Sequence, residues 1–478
     1  MEPSHHTPDH ALCVDLDGTL LRTDLLHESI LALLSRNFLY LFALPLWLLK
    51  GKAGFKREIA RRVSLAPETL PCDERVLELL RSTPQRPRVL CTASDALLVE
   101  PLARHLGLFE EVLASDGHTN LGGAAKAAAL AERFGERGFD YAGNAPVDLK
   151  VWAHADGALV VNAPLRLARA ADKVAAGGTK AHLPATRAGL RVWAKALRLH
   201  QWLKNLLVLV PLLTAHRFLE PPAIAQALGA FVAFGLCASG TYLLNDLLDL
   251  APDRLHPRKR KRPFAAGTLA IMHGLLAVPL LVLAGFAIAF TIGPAFALAL
   301  LTYCVMTLAY SFKLKRIVMI DVVMLAALYT VRIVAGAVAI DQPLSFWLLA
   351  FSMFIFLSLA LLKRYTELDS ARSSGKEKAA GRGYGTADLP LLQSLGAAAG
   401  YISVMVLALY IDSPESLKLY ARPQVLWLLC PLLLYWISRA WIIAHRGGMH
   451  DDPVVFAATD RGSQIIVLLF AVAALAAL

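Results

Sequence analysis

From residue 200 onward the chain is a succession of apolar runs of roughly 20 residues, the length that spans a bilayer as an α-helix. No other feature constrains the fold as much. In lipid each backbone polar group must be satisfied internally, and only helices and closed barrels do this. The runs fall near residues 204–219, 223–248, 270–290, 294–312, 317–340, 344–362, 389–411, 424–444 and 461–478. They predict an all-α polytopic membrane bundle of about nine transmembrane helices. Before residue 185 the texture is that of an ordinary soluble domain. The chain is therefore expected to be two-domain. Residues 1–175 form an α/β domain, 176–200 a linker and interfacial amphipathic helix, and 201–478 the membrane domain. A hydrophobic content of 56% and a mean hydropathy of +0.52 over 478 residues exclude a wholly soluble protein.

Alternate loops of the apolar region are basic, at residues 254–262, 313–316, 363–382 and 445–461. The positive-inside rule puts these loops, and with them residues 1–175, in the cytoplasm of a multi-pass protein of the bacterial inner (plasma) membrane. The formal net charge of +11 suits anionic lipid and phosphate ligands. Nucleic acid is not expected, because the basic residues flank the spans. Cys13, Cys72, Cys91, Cys237, Cys304 and Cys430 have no CxxC spacing, which argues against a zinc site or a disulfide framework. The N-terminus lacks the basic and apolar regions of a signal peptide.

In the soluble part, residues 11–16 read as a buried strand running into DLDGTLLRTD at 15–24. Two Asp two apart, then Gly-Thr, at a strand's C-terminal end aim carboxylates into the crevice where open α/β sheets bind ligands. Residues 88–92 (RVLCT) and 139–143 (FDYAG) are further strands, with a fourth short strand within 151–163. Lys126 opens an Ala-rich helix. Strand–helix alternation predicts a parallel, Rossmann-like sheet. Residues 25–85 would form a helical cap. Within it 38–49 (FLYLFALPLWLL) is expected to be a buried cap helix, with docking on the membrane or on the second domain as the alternative.

These motifs, in this order over about residues 11–170, resemble the haloacid dehalogenase superfamily of phosphatases. The resemblance implies a haloacid dehalogenase fold with helical cap. Asp15 would be the nucleophile and Asp17 the general acid–base. Thr92 would hold the phosphate and Lys126 would neutralise charge. Mg²⁺ would lie on Asp15, Asp17, Asn144 and Asp148. Asn144 stands where the family usually has Asp, so the site loses a charge, and a degenerate scaffold is the alternative to an active phosphatase.

In the membrane part the first polar cluster is residues 245–267, NDLLDLAPDRLHPRKRKRPFAAG. Asp246, Asp249 and Asp253 recur at three- and four-residue spacing, which puts them on one helical face. Such carboxylates at a membrane helix end are costly unless they hold something. A divalent metal with a phosphorylated ligand is the simplest occupant. Further clusters are residues 310–321 (YSFKLKRIVMID), Lys363-Arg364-Tyr365-Thr366-Glu367, and Asp451, Asp452, Asp460 and Arg461. Arg332, inside an apolar run, is expected to face the bundle interior, pairing with a carboxylate or touching ligand.

About nine spans with NDxxDxxxD after the second resemble the UbiA superfamily of intramembrane prenyltransferases, over residues 190–478. Members that prenylate aromatics carry a second acidic motif, DxxxD, where this sequence has LKRYTEL, cationic instead. QWLKN, the 245–263 stretch, YSFKLKR, LKRYTEL and DPVVFAATDR look like the decaprenyl-phosphate phosphoribosyltransferase branch. That resemblance implies transfer of 5-phosphoribosyl from phosphoribosyl diphosphate (PRPP) to a polyprenyl phosphate. Asn245, Asp246, Asp249 and Asp253 would hold the Mg²⁺-diphosphate, with Asp246 and Asp249 central to catalysis. Gln201, Lys204, Lys259, Arg262, Tyr310, Lys315, Arg332, Lys363, Arg364, Tyr365, Glu367, Asp460 and Arg461 would line the substrates. The soluble domain would then remove the 5-phosphate of the product. The alternative is an aromatic, quinone-precursor prenyltransferase. The partners implied are polyprenyl phosphate, PRPP and the bilayer, and a homo-oligomer is left open.

Overall fold

The structure is a computed structural model that describes residues 10–185, 189–375, 377–378, 383–449 and 452–478. Asp451, residues 186–188 of the junction and part of the basic loop at 363–382 lie outside the described residues. Contacts divide the chain into two compact units, Met1–Leu197 with Tyr242–Ala277, and Arg198–Thr241 with Val278–Leu478. The loop after the second apolar run thus belongs to the first unit.

The first unit is built on a six-stranded parallel sheet: β1 Ala11–Val14, β2 Arg88–Asp95, β3 Glu111–Ser115, β4 Phe139–Gly143, β5 Ala158–Ala163 and β6 Thr179–Pro184. The strand order is β3-β2-β1-β4-β5-β6. Strand β1 lies between β2 and β4, so both its edges are paired; packed layers cover both its faces, and its run ALCV is apolar throughout. Alternate residues serve opposite layers. Cys13 packs with Trp152 and Leu167, whereas Leu12 and Val14 pack with Leu25, Val76 and Leu102. The order reverses between β1 and β4, and the crevice beyond the strand ends at such a reversal is where ligands bind.

Two strands were not expected. The edge strand β3 is half-buried and mixes Glu, Ser and apolar residues, which blurs alternation. Strand β6 lies in the stretch read as linker. It pairs in parallel with β5, and Pro184, which cannot donate to a ladder, ends it.

Residues 25–85 are helical, with α1 Leu25–Arg36, α2 Tyr40–Leu48, α3 Gly51–Ala60 and α4 Glu74–Ser82. The expectation of burial for residues 38–49 is overturned, since α2 has no buried residue. The helix is apolar on all sides, and the domain covers only one of them.

Among the described residues seven helices are long and apolar enough to cross a membrane, or eight if the bent pair Pro453–Thr459 and Arg461–Ala477 is one span. The chain is a multi-pass membrane protein. The expected span at 204–219 is not a long helix. It is a 3₁₀ segment, Leu199–Leu209, then a five-residue helix, Val210–Thr214. Pro211 removes a donor and His216 has φ +57°, so the helix cannot extend. At the other end the expected run at 461–478 is the helix Arg461–Ala477, capped by Asp460 and bent by 76° from the short helix Pro453–Thr459 before it.

The second unit's core runs through Tyr329, Phe356, Leu362, Tyr365, Ile437 and Trp441. Gly396 and Gly400, four apart, let helices approach closely, as small residues do in membranes. A Cβ on Gly396 would come within 2.1 Å of the Trp441 ring. Ser358 uses that closeness, donating to the Gly396 carbonyl at 2.6 Å and accepting from Trp441 Nε1 at 3.3 Å.

Candidate active sites

Asp15 directly follows β1 and is buried. Lys126, from the helix Ala124–Phe134, donates to Asp15 Oδ1 at 2.6 Å and to the Tyr141 hydroxyl at 2.8 Å. Tyr141 in turn donates to Asp148 at 3.2 Å. Asp148 Oδ2 accepts the backbone N–H groups of Asn144 and Ala145 at 3.0 and 2.9 Å. One chain of polar contacts therefore joins the ends of β1 and β4. Asp17 is held by the Leu25 N–H at 2.7 Å and the Ser94 hydroxyl at 2.7 Å. Thr92 is fully buried, and its oxygen accepts the Ser94 N–H at 3.0 Å. Gly18 has φ +75°, and a Cβ there would lie 2.0 Å from the Asn144 amide. Only glycine lets the loop after β1 meet the loop after β4.

Burial raises the Asp15 carboxyl, and the Lys126 charge pulls it back. Burial would strip Lys126 of its proton, but Asp15 and other nearby anions outweigh that and hold the ammonium. Asp17 is pushed up to about 7 by burial first, then by the charges of Asp24 and Asp15. A carboxylic acid that keeps its proton near neutrality suits general acid–base work. Asp15, Asp17, Asn144 and Asp148 supply hard oxygen donors, which fits Mg²⁺.

Sequence reasoning passed over Lys56 and Tyr141. Lys56, on α3, donates to the Ala93 carbonyl at 2.6 Å and to Asn120 at 2.8 Å. Its ammonium is lowered by burial and supported by Asp17 and Asp24. Nothing in the sequence ties Lys56 to β2. Tyr141 was within reach, since it alternates with Phe139 on a central strand.

The second acidic cluster lies where the helix Pro221–Leu248 ends and Leu250–Leu255 begins. Asp249 is the junction residue, with φ −100° and ψ 21°. Asp246 and Asp253 are buried, and Asn245 and Asp249 are half-buried. Arg262, expected to face a phosphate, instead bridges the carboxylates, reaching Asp246 at 3.0 Å and Asp253 at 2.6 Å. Burial raises the Asp253 carboxyl and Arg262 opposes it. The oxygen donors fit Mg²⁺ by their chemistry, and Asn245, Asp246, Asp249 and Asp253 would hold it; without it the guanidinium balances the charge of Asp246 and Asp253. Lys259 is exposed.

The next residue along, Arg254, is tied elsewhere. It donates to the Ala265 carbonyl at 2.9 Å and pairs with Glu28 of α1 at 2.5 and 3.1 Å. Both side chains are buried. Thr23 completes the site by donating to Glu28 at 2.7 Å. Gly267 (φ +65°) passes so close to Arg22 that a Cβ would sit 2.8 Å from it. The acidic loop is thereby fastened to the segment directly after the DLDGT turn.

In the second unit the expected ligand residues form two webs. Arg364, 1% exposed, pairs with Asp321 at 2.8 Å and with Glu367, and donates to Tyr310 at 3.2 Å. Tyr384 donates to Asp321 at 2.6 Å. The Arg364 charge, expected to meet a phosphate, is met within the protein by Asp321 and Glu367. Tyr365 is buried against His445 at 3.0 Å. The other web centres on Asp452, which pairs with Lys204 and lies 3.8 Å from Lys363. Burial pushes the Asp452 carboxyl up, and the two ammonium groups outweigh it, holding it at about 2. Arg332 is buried and its partners are neutral: Asn205 at 3.0 Å, the Tyr303 hydroxyl at 2.9 Å and the Leu328 carbonyl. Among the described residues no carboxylate pairs with Arg332, and the Tyr303 ring lies 4.6 Å from the guanidinium. Gln201 and Lys315 are half-buried, and Arg461 is exposed. Asp460 pairs with Arg439 at 2.6 Å and caps the last helix.

Comparison with known proteins covers both halves. A protein of Sinorhizobium fredii known as y4nM is 37% identical over 466 residues, 96% of this chain and 89% of that protein. Nodulation protein NoeC of Azorhizobium caulinodans is 38% identical over 58% of this chain and 90% of its own length. Decaprenyl-phosphate phosphoribosyltransferase of Mycolicibacterium smegmatis is 33% identical over 57% of this chain and 88% of its length. The model of the UbiA prenyltransferase family matches residues 207–459, more than half of the chain. The protein is a multi-pass membrane enzyme that belongs to the UbiA prenyltransferase family.

Proposed function

We propose that the chain transfers the 5-phosphoribosyl group of PRPP to a polyprenyl phosphate. The observation that carries this reading is a charge contrast between two motifs. Asn245, Asp246, Asp249 and Asp253 offer oxygens to a metal-bound diphosphate, whereas the second motif presents Lys363 and Arg364 where a second acidic motif would suit a prenyl diphosphate. One phosphoribosyltransferase relative, aligned over most of its length, supports the same choice. Bound Mg²⁺ would supply Lewis-acid stabilisation of the departing diphosphate. The lipid phosphate would attack the anomeric carbon, so no protein nucleophile is needed. Arg262 would exchange its carboxylate bridge for contact with substrate phosphate. Arg364, enclosed by Asp321, Glu367 and Tyr310, would position Tyr310 and Glu367, leaving Lys363 as the cation offered to ligand.

The sheet domain, in this reading, is a haloacid dehalogenase-like phosphatase that removes the 5-phosphate of the transferase product. Its support is the Asp15–Lys126 pair, the Asp17 carboxyl raised by burial beside it and the buried Thr92 at one crevice. Both active sites would face the cytoplasm of a bacterial plasma membrane, as the basic loops favour.

The test is purified full-length protein in bilayer nanodiscs with Mg²⁺, ribose-labelled PRPP and a panel of polyprenyl phosphates. Label entering the lipid fraction is expected, followed by release of inorganic phosphate. No labelled lipid, together with prenylation of an aromatic acid from a prenyl diphosphate, would overturn the reading.

A further inference from the structure

Helix α2 is apolar on two opposite faces, and the domain uses one. Tyr40, Leu44 and Trp47 recur at helical spacing and pack against the cluster of Leu33, Phe55, Ile59 and Val63. The other face carries Leu39, Phe42, Leu46 and Leu49, also at helical spacing, and these are 67%, 71%, 65% and 84% exposed. Phe38, Leu41 and Leu48 widen the patch. Soluble domains seldom leave such a contiguous apolar surface to water.

The surrounding charges say what covers it. No Asp or Glu occurs between Glu28 and Glu58, while Arg36, Lys50 and Lys52 bracket the apolar stretch and are exposed. An uncharged, aromatic-rich helix of nine residues is too short to span a bilayer. Flanked by cations, it has the make-up of a helix lying in the interface of an anionic membrane. Chain connectivity supplies the bilayer, since this unit also contains the loop between the membrane helices Pro221–Leu248 and Ile271–Ile292.

We propose that α2 is an interfacial lipid anchor, with Phe42 and Leu46 inserted below the headgroups and Arg36 and Lys52 on anionic lipid, Lys50 being paired with Glu58 at 2.7 Å. If the phosphatase reading holds, this anchor keeps its crevice at the depth where a lipid-linked phosphate lies. The anchor itself does not depend on that reading.

Spin labels test it. Five of the six cysteines are buried and Cys72 is half-buried. In a Cys72→Ser background, Phe42→Cys, Leu46→Cys and the control Arg169→Cys each offer one exposed thiol for a nitroxide. The labelled full-length chain is placed in nanodiscs containing anionic lipid. Relaxation enhancement is then measured with oxygen, which concentrates in lipid, and with a water-soluble nickel chelate. At positions 42 and 46 a several-fold loss of nickel access relative to 169 is expected, with oxygen access raised. Nickel access equal to that at 169 would overturn the proposal. So would shielding from both reagents, which means cover by protein, or dipolar broadening relieved by unlabelled chain, which means a second copy. The reading stands apart from activity, so its failure leaves the proposed reaction untouched.

Discussion

The acids at the end of β1 and the acids at the end of Pro221–Leu248 each meet one cation, yet they hold it differently. Lys126 approaches Asp15 from a helix packed on the sheet, is 4% exposed and shares its second bond with Tyr141. Arg262 comes from a loop, is 26% exposed and divides itself between Asp246 and Asp253. The first arrangement is rigid, because strand ends and a buried helix fix every member. The second is a clasp on a helix junction, held by one partly exposed guanidinium from a loop. Preorganised charge suits a site where an aspartyl-phosphate forms and breaks. An exchangeable bridge would suit the proposed transferase site, which would admit and release a metal-bound diphosphate.

The sharpest way to break this contrast is Asp15→Asn. It keeps the shape of the rigid site and removes the carboxylate that the proposed phosphatase would use as nucleophile, so phosphate release should fall by on the order of 10³-fold or more. Transfer of ribosyl label to lipid should persist, and the phosphorylated lipid should accumulate, as seen by mass spectrometry. Equal loss of both activities would mean that the two sites are not chemically separate.

The fastening between the two regions comes next in size. Glu28→Ala leaves Arg254 buried without its partner, a change worth about 3–5 kcal/mol. A drop of several degrees in apparent melting temperature is expected for the full chain. Glu28→Ala combined with Arg254→Met removes both charges and should recover much of the loss. No recovery would mean that the pair acts through packing rather than charge.

Asp246→Asn probes the clasp. It removes one anionic donor while three oxygen-bearing side chains remain, so ribosyl transfer should fall about 100-fold. The Mg²⁺ concentration for half-maximal rate should rise, and phosphate release from a supplied phosphorylated lipid should be unchanged. An unaltered Mg²⁺ dependence would place the metal elsewhere.

The same contrast explains what the sequence disclosed. Strand ends are legible because burial on both faces demands apolar runs, and DLDGT follows one of them. Asp15 and Asp17 could therefore be placed by position, and Lys126 and Asp148 only through the resemblance to the haloacid dehalogenase superfamily. Partners chosen by tertiary packing could not. Lys56 reaches β2 from the cap, and Arg262 turns toward acids nine and sixteen positions away in sequence. Arg364 looked like a ligand cation because its acid, Asp321, is remote in the chain. Apolar runs identify spans but not breaks, so the run at 204–219, interrupted at Pro211 and His216, was expected as a span and is not a long helix. Residues 38–49 misled for a further reason. Hydrophobicity predicts burial, but it does not say whether protein or lipid provides it.

Gly267→Ala is the finest probe of the comparison. The residue has φ +65°, and its Cβ would press on Arg22 Cβ at 2.8 Å and on the Arg22 carbonyl at 3.0 Å. Strain and a small backbone shift should cost about 1–2 kcal/mol. The shift has one direction open to it, away from Arg22, because the Arg22 N–H is already held by the Pro71 carbonyl at 2.8 Å. The acidic loop should therefore move while the sheet crevice stays. Ribosyl transfer should fall a few-fold with phosphate release intact, and hydrogen exchange should quicken in residues 254–267 alone. If instead exchange quickens around Asp15 and Asp17 as well, the two acid sites share one rigid frame, and the distinction between a fixed pair and a clasp is lost.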